Sequence, residues 1–427
     1  MAIREESVRK VDLPRKLTLF DSTCLVLGII VGAGIFQVAP DVARGAGSWL
    51  GVAVIWILGG IFSLCGALGY AELASAYPKV GGDYVYLTRA YGRWAGFLFG
   101  WIQLAVVRPG DIVLMAFIFA TYANALHDPP SIAGLVLDQR AYAIAVVVVL
   151  TAVNVLGVRA GKSIQNVLTV VKVLGVLGVV GVAVAARNVN IVPTQADPLP
   201  MSVALILVLF TYGGWNEVAY VAAEIKRPRH NIVRVMVWGL ATVAVLYLLI
   251  NTAFLHALGY HGLAGSEAVA SDVTDSVFPG IGGRLISALI CICALGAVNG
   301  LIFAGARISY AMGCDHAMFR VLGRWNQKTG TPVRSLLLQA FIAIVLIMAL
   351  GSFVDTILYT APAVYAFYLA TSLAILVLRR KEPHVARPYR VTGYPATTLL
   401  FMAVCAFLIY SAVMYKPLPA LLSFALI

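Results

Sequence analysis

Two apolar stretches, each long enough to cross a membrane, are broken by glycine pairs. The first break is Gly32-Ala33-Gly34, within residues 25–40. The second is Tyr212-Gly213-Gly214-Trp215-Asn216-Glu217, within residues 199–224. Such pairs let a helix unwind and leave backbone N–H and C=O groups without partners. Lipid cannot satisfy those groups, and each orphan costs several kcal/mol. The breaks must therefore be buried in protein or face a polar ligand. Two such breaks in corresponding halves of a membrane protein point to a transporter site near the bilayer midplane.

The membrane class follows from composition. Hydrophobic residues make up 61% of the chain and charged residues 12%, about half of the roughly 25% usual in soluble domains. Apolar runs able to cross ~30 Å of hydrocarbon recur along the whole length. Spans are expected near residues 19–43, 48–77, 91–125, 141–157, 162–186, 199–224, 232–258, 281–313, 334–351, 353–379 and 395–415, with a partial twelfth in 418–427. The chain reads as an all-α polytopic membrane protein with 11–12 transmembrane helices. The first sixteen residues are charged and show no cleavable signal peptide.

The net charge of +12 is distributed by side. The N-terminus and the even-to-odd connections carry 23 of the 31 Lys and Arg residues. The opposite side holds Arg44, Arg140, Arg187, Arg284 and Lys416. This bias places the N-terminus in the cytoplasm of a cell (inner) membrane, and it argues against nucleic acid as a partner. The six cysteines lie in apolar runs or at the cytoplasmic end of span 8, so neither a structural disulfide nor a metal cluster is expected. Cys291 and Cys293 are two apart, which sends them to different helix faces.

Broken spans 1 and 6 are five apart, which suggests two five-helix units of opposite topology. The expected division is a tail over 1–18, a first unit over 19–190, a second over 199–380, and span 11 with a partial span 12 over 395–427. The long connections 124–140, 260–284, 313–332 and 379–395 read as polar loops.

Several polar residues stand inside the spans. Lys172 is mid-helix in span 5, where an ammonium must be paired or coordinated. It either snorkels to the surface or acts as a fixed cation on carbonyls freed by the span 1 break. In the second role it would take the place of Na⁺, and residues 291–300 offer no Ser/Thr hydroxyl pair to bind that ion. Arg108-Pro109-Gly110-Asp111 is expected to interrupt span 3. Its Arg and Asp either pair on one helix face or Asp111 reaches the cavity and selects substrate charge. Glu217 follows the second break and is open to three roles: proton carriage, attraction of a cation, or capping of freed amides. Glu72, Glu224 and Arg307 lie at cytoplasmic helix ends as candidates for a closing network. Phe210, Tyr212 and Trp215 flank the second break, and Phe210 reads as a gate over substrate.

These residues fall into stretches that together resemble the amino acid–polyamine–organocation superfamily, and within it the L-type amino acid transporters. Residues 28–36 with Pro40 look like the helix 1 motif, and 71–73 with 77–84 look like the helix 2–3 junction. Residues 210–216 with 228–232 are similar to the helix 6 signature, and 304–307 fit the end of helix 8. The resemblance covers nearly the whole chain. It implies a five-plus-five inverted-repeat (LeuT-type) fold working by alternating access. It also implies an α-amino acid held at Ile30, Gly32, Ala33, Gly34, Phe210, Thr211, Gly213 and Asn216. The carboxylate would lie on the amides near Ala33 and Gly34, at the positive end of a half-helix. The ammonium would lie on carbonyls around Ile30, Phe210, Thr211 and Gly213. Lys172 would link span 5 to spans 1 and 8.

This sequence departs from the family pattern at three places. Ala33 stands where relatives often carry Ser. Asp111 and Glu217 stand where the L-type pattern is usually uncharged. The 3–4 loop lacks the cysteine that tethers animal members to a glycoprotein, so no covalent heavy chain is expected. The expectation is a sodium-independent amino acid transporter, antiporting or proton-coupled, with no cofactor and no metal. The alternative is a cationic amino acid or polyamine carrier using Asp111 and Glu217. No nucleophile–base pair or metal cluster suggests an enzyme.

Overall fold

The structure is a computed structural model that describes residues 18–78, 82–126, 131–132, 135–136, 139–156, 162–186, 197–220, 225–326, 329 and 331–425. Its helices, in chain order, are α1 (Leu19–Ile30), α2 (Gly34–Ala46), α3 (Trp49–Ala76), α4 (Asp83–Tyr91), α5 (Arg93–Ile102), α6 (Arg108–Leu126), α7 (Gln139–Val155), α8 (Lys162–Ala185), α9 (Met201–Thr211) and α10 (Glu217–Tyr220). They continue with α11 (Pro228–Gly265), α12 (Val269–Val277), α13 (Gly282–Asp315), α14 (Val333–Leu350), α15 (Phe353–Lys381), α16 (Ala396–Tyr415) and α17 (Pro417–Ala425). A two-stranded antiparallel hairpin, β1 (Ser131–Ile132) with β2 (Leu135–Val136), sits in the 3–4 loop.

Among the described residues, seven helical stretches are long and apolar enough to cross a membrane, and α1 with α2 makes an eighth span bent by 49°. Three shorter apolar helices, Gln139–Val155, Thr169–Ala185 and Met201–Thr211, stand at spans 4, 5 and 6. Each expected span thus carries helix in its described residues, with breaks inside spans 1 and 6. At 9 residues, α17 is too short to cross. The chain is a multi-pass membrane protein of the five-plus-five kind, with its interruptions in spans 1 and 6.

Local sequence explains the helix boundaries. Glycine followed by serine ends one helix and starts the next at two places. Gly47 and Gly351 take positive φ after α2 and α14. Ser48 and Ser352 then accept from the amides of Gly51 and Asp355 at 3.1 Å each, capping α3 and α15. Thr18 and Asp21 form a reciprocal capping box on α1.

Two expectations about local structure fail. Span 3 is not interrupted at Pro109: Arg93–Leu126 is one continuous helical stretch. Gln103–Val107 takes a π-helical turn instead. The wider turn accommodates the missing N–H and the bulky ring of Pro109 without ending the helix. The 7–8 connection is not a plain polar loop either. α11 runs on to Gly265 past a kink at Gly259, and α12 fills much of the rest.

The packing brings span 7 to the site. α11 lies against α1, α2, α3 and α8, while α13 lies against α6, and α2 against α9. The two broken spans therefore sit inside the bundle with helices around them.

Candidate functional site

Both breaks are unwound. α1 stops at Ile30 and α2 starts at Gly34, so Val31–Ala33 form a non-helical bridge. α9 stops at Thr211 and α10 starts at Glu217, with turns between them. The breaks also touch each other. Gly214 has φ +102°, and a Cβ there would lie 2.7 Å from Ile29 Cγ2 and 3.6 Å from Ile30 Cγ1. Only glycine lets the second break come this close to the first.

The freed backbone groups are shared out in a definite way. The Gly32 N–H turns to the Ile30 carbonyl at 2.8 Å. The Gly28 carbonyl, which a continuous helix would give to Gly32, instead accepts from Lys172 Nζ at 3.3 Å. One turn away, Thr169 Oγ1 donates to the Cys24 carbonyl at 3.0 Å, so α8 is fastened to α1 twice. Lys172 also lines an apolar void with Gly32, Ala33, Phe36, Ile290 and Cys293, where α8 and α13 meet the first break. At the start of α2 the Phe36 N–H turns back to the Ala33 carbonyl at 3.2 Å, while the N–H groups of Gly34 and Ile35 have no intrahelical partner by geometry and carry the positive end of that half-helix. A Cβ on Gly34 meets nothing within 4 Å, so there is room beside them.

A tyrosine joins the two breaks. Tyr247, fully buried on α11, donates to the Ile30 carbonyl at 2.7 Å and approaches the Thr211 carbonyl at 3.3 Å. With the Gly32 amide already in place, both acceptor positions of the Ile30 carbonyl are filled. The Tyr247 ring packs with Trp56 and Tyr212 at centroid distances of 5.4 and 5.2 Å. Tyr212 donates to the Trp56 carbonyl at 3.2 Å. Trp215 packs between Tyr70 and Tyr368. Tyr212 and Trp215 therefore do not border an open site: both are buried in aromatic packing, and Phe210 alone of the three is half-exposed. Thr211 turns its hydroxyl back to the Leu207 carbonyl at 2.7 Å. Asn216 accepts from Tyr368 at 3.1 Å.

The charges of spans 3 and 6 meet. Arg108 Nη2 donates to Glu217 Oε1 at 2.9 Å, while Asp111 Oδ2 lies 3.9 Å from Arg108 Nη1. Of the two carboxylates, the one nearer to Arg108 is thus on another span, and the one on its own helix face is the farther. Glu217 turns its carboxylate to this guanidinium rather than to freed amides. The charge explains the choice, since a guanidinium answers a buried carboxylate better than neutral N–H groups do.

At the other end of α3, Glu72 is buried and accepts two parallel bonds from Arg379, at 2.8 Å from Nε and 2.5 Å from Nη2. The Val391 N–H adds a third at 2.7 Å, and Arg387 lies 3.5 Å away. Nearby, Glu382 accepts from Arg89 and Tyr77 at 2.9 Å each. Burial raises the Glu382 carboxyl, but Arg89 and Tyr77 outweigh it and hold it below its ordinary range. Glu224 and the side chain of Arg307 lie outside the described residues.

A family model described as "Amino acid permease" matches residues 17–425. The chain belongs to the amino acid permease family. It is 29% identical to the mouse b(0,+)-type amino acid transporter 1 over 96% of this chain and 85% of that protein. It is equally similar, at 29%, to the serine/threonine exchanger SteT of Bacillus subtilis, over 93% of this chain and 91% of the exchanger. The rabbit large neutral amino acids transporter small subunit 2 is 30% identical over 92% of this chain and 75% of its own length. A permease moves its substrate without converting it, so membership marks this chain as a carrier and not an enzyme.

Sequence reasoning about this permease missed Tyr247, Tyr368, Arg379 and Arg387. A tyrosine in the middle of an apolar span was a usable signal for the first, because a buried phenol needs an acceptor. Nothing in the chain pointed to which acceptor.

Proposed function

We propose that this permease is a sodium-independent amino acid transporter, antiporting or proton-coupled, that works by alternating access. The substrate carboxylate lies on the amides at Ala33 and Gly34. Its ammonium lies among the carbonyls of Phe210, Thr211 and Gly213, because the Ile30 carbonyl expected to join them already accepts from Tyr247 and the Gly32 amide. The observation that carries this reading is the contact of the two unwound segments through Gly214 and the Tyr247 hydroxyl. Two opposed half-helix ends suit a zwitterion without a buried countercharge. Lys172 on the Gly28 carbonyl supports sodium independence, because a fixed ammonium already serves that carbonyl.

The reading extends to the whole chain. Residues 19–190 and 199–380 are the two inverted units, residues 1–18 a tail, and 395–427 an appended part. The N-terminus faces the cytoplasm of the cell membrane, and no covalent heavy chain is attached. One observation favours a second reading, a carrier of cationic amino acids or polyamines: two carboxylates share one guanidinium beside the second break.

Counterflow in proteoliposomes tests the main reading. External L-leucine, L-serine or L-lysine should drive uptake of the same labelled amino acid into preloaded vesicles, equally in sodium and in choline. Strict dependence on sodium would remove the proposed role of Lys172, and no counterflow with any amino acid would remove the transport reading.

A further inference from the structure

We propose that Asp111 selects the substrate, receiving the cationic end of a basic amino acid of the lysine type. This rests on the reading of the two breaks as the α-amino acid site. It starts from a count of charge. Arg108, Asp111 and Glu217 form one cluster inside the membrane span, with two carboxylates to one guanidinium. Arg108 is in hydrogen-bond contact with Glu217 at 2.9 Å but 3.9 Å from Asp111. Glu217 holds the closer contact and Asp111 the looser ion pair, so the three charges sum to one negative, with Asp111 the less tightly held carboxylate. In a low-dielectric surrounding a cluster with one excess negative charge draws a cation.

The two carboxylates of the cluster keep accessible surface. The 18-residue membrane window of Arg93–Leu126 is 78% buried, and Ile112, Val113 and Leu114 beside Asp111 are fully buried. Asp111 nevertheless keeps 23% of its side chain accessible and Glu217 keeps 25%. A carboxylate facing lipid at this depth is too costly, so that accessible surface faces an internal space. Glu217 opens α10 directly after the second break, so the space adjoins the site. The open position beside Gly34, at the positive end of α2, supplies an anion site at the other end. A ligand with a carboxylate at one end and a cation at the other matches the charge of both, which favours a basic amino acid over a polyamine.

The test compares L-lysine with L-norleucine, which has the same carbon chain and no terminal amine. Calorimetric titration of the purified full-length protein should show lysine tighter by about tenfold or more, since a site built around a polar substrate group rejects the analogue lacking it. Asp111→Asn should abolish that preference, weakening lysine far more than norleucine. Asp111→Glu, which keeps the charge, should restore it. Glu217→Gln should also lose the preference, because Arg108 then answers Asp111. Equal weakening of both ligands by Asp111→Asn, or no rescue by Asp111→Glu, overturns the proposal. So does a wild-type preference for norleucine accompanied by proton uptake into weakly buffered vesicles, which would assign the extra charge to a proton. Failure of the wild-type protein to bind either ligand overturns the amino acid site itself.

Discussion

Lys172 and Tyr247 each spend a polar side chain on carbonyls that unwinding has freed, and each gives a sharp prediction. Lys172→Ala should leave a folded protein whose transport is severely reduced, because the Gly28 carbonyl loses the cation that ties α1 to α8. Transport at the wild-type rate, measured as counterflow, would rule that out. Tyr247→Phe removes one hydroxyl that spans both breaks. A net hydrogen bond is worth about 1 kcal/mol, so amino acid affinity should fall roughly fivefold and the melting temperature should drop slightly. Tyr212→Phe, whose hydroxyl serves the Trp56 carbonyl instead, should leave affinity nearly intact in the same titration. Lys172 was legible in the sequence because an ammonium deep in an apolar span demands an explanation. The pairing of Arg108 with Glu217 was not, since the two are 109 positions apart and Asp111 offered a partner three residues away.

At the scale of elements, the glycines of the two breaks do different jobs. Gly34 has empty space where a side chain would go, so Gly34→Val should fold and melt normally yet lose binding. Gly214 has φ +102° and Ile29 against it. Gly214→Val meets both a backbone penalty of about 1–3 kcal/mol and a steric clash, so it should lower the yield of folded protein. Gel filtration and ligand-induced thermal shifts separate the two outcomes, and equal behaviour of both variants would contradict this division. The breaks themselves were readable from glycine pairs in apolar runs. The course of α12 and the π-turn before Pro109 were not. Polar, glycine-containing connections look alike whether or not they carry a helix, and the backbone's accommodation of proline depends on neighbouring turns rather than on the motif.

At the scale of the whole molecule, hydropathy and charge gave the span order, because lipid imposes the same length and backbone requirements on every segment. They could not show how helix ends are tied together. Glu382 illustrates this at the loop after α15. Its carboxyl is held below its ordinary range, so the stabilisation from Arg89 and Tyr77 is complete above that ordinary range. It is lost only as pH falls through the depressed value. Proteolysis of this loop should therefore stay slow through mild acidification and rise only in stronger acid; a rise near neutral pH would disagree.

The Glu72 carboxylate, gripped by Arg379 and the Val391 amide, has a consequence for how the molecule can be watched at work. Parting α3 from α15 would strand a buried charge, at a cost of about 3–5 kcal/mol. Spectroscopic labels at those two helix ends should thus keep a constant separation whether or not amino acid is present, giving a fixed reference frame. Labels placed across the first and second breaks can be measured against that frame, and any change in their distance then belongs to the gating motion.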